Sequence, residues 1–311
     1  MDTNLRAENH ASAAKAAAAR SSVLAAVGLT AMKIVVGLLT GSLGVLAEAA
    51  HSALDLVAAL MTWFAVRLSD RPADREHTYG HGKVENLSAL FETGLLLAVC
   101  AWIVWEAVDR LFFHTEPAVE ATVWAFAVMI ISIAVDVSRS RMLYRVARTH
   151  NSQALEADAL HFSTDIWSSA VVVLGLACVA IGRTWPAFEE LHHADALAAL
   201  LVAAIVIVVS ARLGMRTIAG LLDAAPAGMR DRIIAAVEAL PGIANCHRVR
   251  MRMSGPKMFV DIHVLVDGDQ TLRDAHRLTE TIELTIEALA PEADVTVHPE
   301  PLPRTPGPDA R

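Results

Sequence analysis

The chain has 311 residues, 54% of them hydrophobic and 19% charged, where an average soluble domain carries about 25% charged residues. That excludes a disordered or collagen-like chain and an ordinary soluble enzyme, and a net charge of −8 excludes nucleic acid as the partner. Three cysteines, Cys100, Cys178 and Cys246, lie far apart with no CxxC pair, which excludes a disulfide framework and an all-cysteine zinc site.

A bilayer core about 30 Å thick is crossed by a helix of about 20 apolar residues. Six stretches meet that length: 21–40, 44–66, 88–113, 118–138, 157–181 and 194–212. The first is not a cleavable signal peptide, because it follows a polar tail and no A-x-A pattern closes it. A bundle of buried soluble helices is the alternative, but six such stretches leave too little polar surface. Arg6, Lys15 and Arg20 precede the first span. Arg67, Arg71, Arg75 and Lys83 follow the second, and Arg139, Arg141, Arg145 and Arg148 the fourth. Arg212 and Arg216 follow the sixth. The opposite side carries only Arg110 and Arg183, and Lys33 falls inside the first span and is not a loop charge. Positive charge stays inside, so both termini are expected in the cytoplasm. Residues 1–19 are read as a cytoplasmic tail, loose or a frayed helix, and 20–215 as a six-helix transmembrane bundle.

From about residue 224 the composition becomes that of a small soluble domain. Met229, Ile233, Ile234, Val237 and Leu240 recur at helical spacing. Segments 248–253 and 258–266 flank Ser254-Gly255-Pro256-Lys257 and read as a hairpin. Met258, Val260, Ile262 and Val264 share one face of the second strand, Asp261 and His263 the other. Residues 272–289 form a second amphipathic helix, and 295–298 a last short strand. The order αββαβ predicts a two-layer α+β domain of ferredoxin-like, metallochaperone-like type over 216–300. The proline-rich end beyond Pro299, 301–311 in the domain division, is expected to be a disordered tail.

The chemistry starts with ionisable groups inside apolar spans, where they are costly and functional by default. The second span holds His51-Ser-Ala-Leu-Asp55 and the fifth His161-Phe-Ser-Thr-Asp165. Four residues apart, imidazole and carboxylate share a helical face. Two such helices packed together offer two nitrogens and two oxygens, a tetrahedral set that suits Zn2+. Unrelated capping or interhelical hydrogen bonds explain one such pair, but two copies in different spans are harder to explain that way.

With these two motifs, six spans and the αββαβ end, the chain resembles the cation diffusion facilitators, from about residue 20 to 300. The segment 72–85, Pro-Ala-Asp-Arg-Glu-His-Thr-Tyr-Gly-His-Gly-Lys-Val-Glu, is similar to that family's loop between the second and third helices. The resemblance implies a homodimer in a bacterial cytoplasmic membrane that exports divalent metal in exchange for protons. His51, Asp55, His161 and Asp165 match its transport site, and histidine at the first position accompanies zinc selectivity. Asp74, His77 and His81 match a loop metal site, which the four-residue histidine spacing permits if the segment is helical. His247, His263, His276, His298 and Glu300 match positions that hold regulatory zinc at the dimer interface, with Glu300 in place of the usual aspartate. Lys83 and Asp223 match a charge pair tying the third helix to the start of the soluble domain.

Glu48 departs from the family pattern. It lies three residues before His51 and seven before Asp55, on the same helical face. It is read as a proton acceptor, an extra ligand, a group lining an outer water cavity, or a carboxylate near the membrane face. Glu92 and Asp136 are further cavity candidates. Trp102, Trp105, Trp124 and Trp185 read as interface anchors or packing, and His192 and His193 fall in an outer loop without a motif. The expected cargo is Zn2+, which also serves as regulatory metal, with no organic cofactor. A broader exporter of Fe2+, Cd2+, Co2+ or Mn2+ and a non-transporting membrane metal sensor or store are the alternatives. An intramembrane metalloenzyme is disfavoured because there is no HExxH and four protein ligands leave no open position for water.

Overall fold

The computed structural model describes residues 2–41, 43–113, 123–184, 192–291 and 293–303. Trp185 and residues 304–311 of the expected tail lie outside it, as do the side chains of Arg110, Cys178, Arg183, His192 and His193. The chain divides into two units, 1–218 and 219–311.

The first unit is built from six helices among the described residues: α1 (Asp2–Thr40), α2 (Leu43–Ser69), α3 (Lys83–Phe113), α4 (Val123–Thr149), α5 (Gln153–Thr184) and α6 (His192–Leu221). α1 packs on α2 and α4, α4 on α5, and α3 on α2 and α5. α6 approaches α3 closely at Gly214, where a Cβ would stand 3.0 Å from Thr93 Cγ2.

Four of the described helices contain segments long and apolar enough to cross a membrane: His10–Thr40, Glu48–Ser69, Lys83–Trp105 and Leu200–Leu221. α4 and α5 carry the polar load instead. Arg139, Arg141, Arg145 and Arg148 fall in the second half of α4, and Glu156, Asp158, His161 and Asp165 in the first half of α5. The unit is apolar outside and polar within. Leu38, Leu39, Phe64, Trp102, Trp105, Trp124 and Leu201 are exposed, whereas Ser22, Thr62, Glu92 and Asp158 are fully buried. Such an arrangement is stable in lipid, where apolar side chains lose nothing by facing outward and polar groups need internal partners.

The first helix begins far earlier than its apolar run. The stretch before Ser21 is alanine-rich, and alanine is the best helix former. Ala18 and Ala19 are buried against α2, α4 and α5 residues that include Val66 and Leu143. The Lys15 ammonium is buried between Asp70 at 2.5 Å and Glu85 at 3.0 Å. The stretch read as loose or as a frayed helix is therefore helical from Asp2, and its second half is packed.

The second unit has the expected order, α7 (Met229–Glu238), β1 (Ile243–Ser254), β2 (Lys257–Val266), α8 (Leu272–Leu289) and β3 (Asp294–Pro301). Its sheet runs β1-β2-β3, with β1 antiparallel and β3 parallel to β2. Ile233 and Val237 of α7, Val260, Ile262 and Val264 of β2, and Ile282 and Ile286 of α8 form the centre of the core. Thr271 caps α8 by accepting from Asp274 N–H at 3.2 Å. β1 is longer than the predicted strand and bulges between His247 and Arg250, with Arg248 at φ 48°. β3 also runs past its predicted end. Pro299 and Pro301 pair in register with Val264 and Val266, which an edge strand tolerates. The residues from Pro299 to Pro301 are thus strand rather than disordered tail.

Candidate metal centre

α2 and α5 lie side by side, and the helical repeat aims all four HxxxD side chains into their seam. His161 Nε2 stands 3.2 Å from Asp55 Oδ1 and 3.6 Å from Asp165 Oδ2. His51 Nε2 stands 3.9 Å from Asp55 Oδ1 and from Asp165 Oδ1. Each carboxylate is therefore shared by the histidines of both helices. One ligand atom each from His51, Asp55 and Asp165 falls within 4.8 Å of the others. His161, Asp55 and Asp165 are largely buried, and the His51 side chain is 40% exposed toward a cavity of about 80 Å³. His161 Nδ1 and Asp165 Oδ2 are buried without a hydrogen-bond partner among the described residues. His161 stands outside that three-residue group and does not line the cavity, but its Nε2 lies beside both carboxylates; two imidazole nitrogens and two carboxylates are a donor set that suits a tetrahedral divalent ion.

Charged groups surround this cluster. Arg139 is buried in α4 rather than lying in a loop. It donates to Asp136 at 3.2 Å and Ser22 Oγ at 3.1 Å, and lies 3.6 Å from the centre of the Phe162 ring. Ser22 Oγ in turn donates to Asp158 Oδ2 at 3.1 Å. The i, i+3 spacing of Asp136 and Arg139 is the only sequence signal for this network. Asp136 lines the cavity, as does Glu48. Glu92 is fully buried, accepts a hydrogen bond from Thr62, and does not line the cavity.

Asp74, His77 and His81 also come together, although the segment is not helical. Asp74 Oδ1 accepts from the N–H groups of Glu76 at 2.9 Å and His77 at 2.7 Å, an Asx-type turn. Gly80, at φ 76°, then donates its N–H to the His77 carbonyl at 2.9 Å and turns the chain so that His81 returns. His77 Nδ1 and His81 Nε2 each lie 3.4 Å from an Asp74 oxygen. The His77 N–H, then that of Glu76 and the two imidazoles, hold the Asp74 carboxyl below its ordinary range. Turn chemistry, not a helical repeat, builds this cluster.

The second unit gathers a third group by sheet register. His247 on β1 faces His263 on β2, and His263 faces His298 on β3. Glu300 Oε1 accepts from His263 Nδ1 at 2.7 Å, and its Oε2 lies 3.2 Å from His247 Nε2. His298 Nε2 is 3.8 Å from Glu300 and remains exposed. The hydrogen bond from His263, then the other two imidazoles, lower the Glu300 carboxyl below its ordinary range. Within one chain, His276 is not part of this group. It lies on the exposed side of α8, 3.7 Å from Glu280. Lys83 opens α3, whereas Asp223 follows α6 at φ 60° and belongs to the second unit.

Residues 19–222 match the cation efflux transmembrane domain, and residues 225–302 the cation efflux protein cytoplasmic domain. The chain belongs to the cation diffusion facilitator family. A cation-efflux pump FieF of Yersinia enterocolitica is 34% identical over 290 residues, 92% of each chain. The cation-efflux pump FieF of Shewanella oneidensis is 31% identical, over 92% of this chain and 93% of its own. The metal-bound C-terminal domain of the CzcD transporter from Thermotoga maritima is 40% identical over 25% of this chain and 91% of its own, with a TM-score of 0.23. Membership makes this cation diffusion facilitator a membrane transporter of cations, not an enzyme. It also gives the apolar outer face of the first unit its solvent, the bilayer.

Proposed function

We propose that this cation diffusion facilitator exports Zn2+ from the cytoplasm in exchange for protons, as a homodimer in a bacterial inner membrane with both termini inside. The observation that carries the reading is the four-residue cluster of His51, Asp55, His161 and Asp165, with each carboxylate shared between the two helices. Two imidazoles favour Zn2+ over hard ions. A metal needs neutral imidazole and ionised carboxylate, so protons and metal compete for the same groups. Open to the cytoplasm, the site loses protons and takes the ion. Open outward, protons displace it. Rocking of helices about the fixed site exchanges the two states.

His247, His263, His298 and Glu300 form a regulatory zinc site, to which His276 contributes across the dimer. Asp74, His77 and His81 form an accessory loop site.

Purified protein in vesicles, given Zn2+ and a pH gradient, tests the reading. Zn2+ uptake that collapses with the gradient supports it. Metal binding without uptake favours a sensor or store and overturns it. Competition with Fe2+, Cd2+, Co2+ and Mn2+ in the same assay fixes the cargo.

A further inference from the structure

Two side-chain cations line the same cavity as His51, Asp55 and Asp165. One, Arg139, is taken up by Asp136 and Ser22. The other is Lys33 of α1, which the sequence reading set aside. Lys33 is buried, and its ammonium donates to Glu48 Oε2 at 3.1 Å and to Ser52 Oγ at 2.7 Å. Glu48 and Ser52 lie three residues before and one after His51 on α2. The carboxylate that shares a helical face with His51 is thus held by a fixed positive charge inside the metal cavity.

The charges of the lining nearly fix what that cavity accepts. It carries four carboxylates, Glu48, Asp55, Asp136 and Asp165, against two cations, Lys33 and Arg139. Two carboxylate charges remain, which balance one divalent ion. An ammonium has three donors and no acceptor, so Lys33 cannot ligate metal. It acts on the metal through repulsion and through the carboxylate it holds. A transported ion must bind well enough to enter and weakly enough to leave.

We propose that Lys33 sets the metal affinity of the transport site by holding Glu48 out of the ligand set and by limiting the cavity to two uncompensated carboxylates. This inference rests on the four-residue cluster being the metal site. Freed from Lys33, Glu48 becomes an additional oxygen ligand beside His51. The ion is then retained rather than released, and hard or larger ions gain relative to Zn2+.

The test uses the full-length protein, with Zn2+ affinity measured calorimetrically in detergent and uptake measured in vesicles. Lys33→Met should tighten Zn2+ binding by about tenfold or more, because a like charge leaves a shielded site, and should slow uptake. Glu48→Gln should weaken binding by a comparable factor, because Lys33 then keeps Ser52 as a hydrogen-bond partner but faces the metal without its counter-charge. The double variant should return to within about threefold of wild type, since the two charges cancel. Opposite signs are required; a pair that is only structural makes both single variants bind more weakly, and that result overturns the proposal. Unchanged affinity in both single variants overturns it as well. Lys33→Gln serves as the second neutral variant where Lys33→Met does not assemble. His161→Ala is measured in parallel. If that change removes none of the Zn2+ binding steps, the four-residue cluster is not the metal site and the inference falls with that assignment; if it removes one step, the loop and second-unit clusters account for the rest, and the Lys33 and Glu48 variants are read on the step it removes.

Discussion

His161 Nε2 lies closer to Asp55 on the neighbouring helix, at 3.2 Å, than to Asp165 on its own helix, at 3.6 Å. The proposed transport site is therefore held together across the α2–α5 seam. Any shear between the two helices moves nitrogen and oxygen ligands apart together, which is what alternating access to such a site needs.

Both carboxylates lie beside both histidines, and Asp55 makes the shortest contact, 3.2 Å to His161, so its removal should cost at least as much as that of Asp165. Asp55→Ala is expected to lower Zn2+ affinity by more than about a hundredfold, beyond the range for loss of an outer hydrogen-bond partner, and to abolish uptake. Elution of the variant as an intact dimer in detergent separates loss of the site from loss of the fold. Substantial residual uptake in that intact dimer would contradict the assignment.

His51→Asp replaces a nitrogen by an oxygen in a site already rich in carboxylate. Activity toward Mn2+ or Cd2+ should rise relative to Zn2+, because hard ligands discriminate against the imidazole-preferring ion. Transport competition reads this directly, and an unaltered preference would place His51 outside the ligand set.

Lys15 is buried between Asp70 and Glu85, and so ties the N-terminal helix to the end of α2 and the start of α3. Breaking a buried pair by removing one partner costs about 3–5 kcal/mol. Lys15→Met should lower the thermal midpoint in detergent, and adding Glu85→Gln should recover part of the loss. A variant that melts like wild type would mean the early part of α1 contributes nothing.

The fragment 224–303 should gain stability from Zn2+, by about 2.7 kcal/mol at a hundredfold excess over Kd. Protonated imidazole cannot ligate, so the gain should weaken as the solution is acidified. In metal-free fragment the sign is set by Glu300. Its carboxyl is lowered in the folded state, chiefly by the His263 hydrogen bond. That contribution is present above the unfolded carboxyl value and is lost as pH falls through the lower folded one. His263→Ala should remove most of the zinc effect. His276→Ala should remove less in the monomeric fragment, because His276 lies apart from the cluster within one chain. Melting curves with and without zinc at two pH values, run at concentrations where the fragment sediments as a monomer, decide it, and equal losses in the two variants there would place His276 in the same intrachain site.

The Asp74 carboxyl is held below its ordinary range, first by the His77 N–H. It therefore stays ionised at neutral pH, where it offers metal a charged oxygen without first losing a proton. Asp74→Ser keeps a side-chain acceptor for the turn but drops the charge. It should lose loop metal, counted per protein by elemental analysis, without changing the membrane site. Retention of the full metal count would remove Asp74 from the ligands.

Whatever repeats locally could be read from residue spacing. The HxxxD pairs follow the 3.6-residue turn, β2 alternates by twos, and helical and strand periods alternate through the second unit, so the motif helices and the αββαβ order were legible. Apolar windows located the spans but averaged away single charges, which is why Lys33 was set aside and Lys15 and Arg139 were counted only as topology charges. Their partners, Glu48, Asp70, Glu85 and Asp158 (through Ser22), lie 15 to 136 residues away along the individual links. Local spacing does not encode those distances. The same holds for Glu300, which meets His263 because β3 runs parallel to β2 and places a residue 37 positions later beside it. Packing chose these pairs because a buried charge must find an opposite charge or a hydrogen bond, and only the folded chain determines which one is within reach.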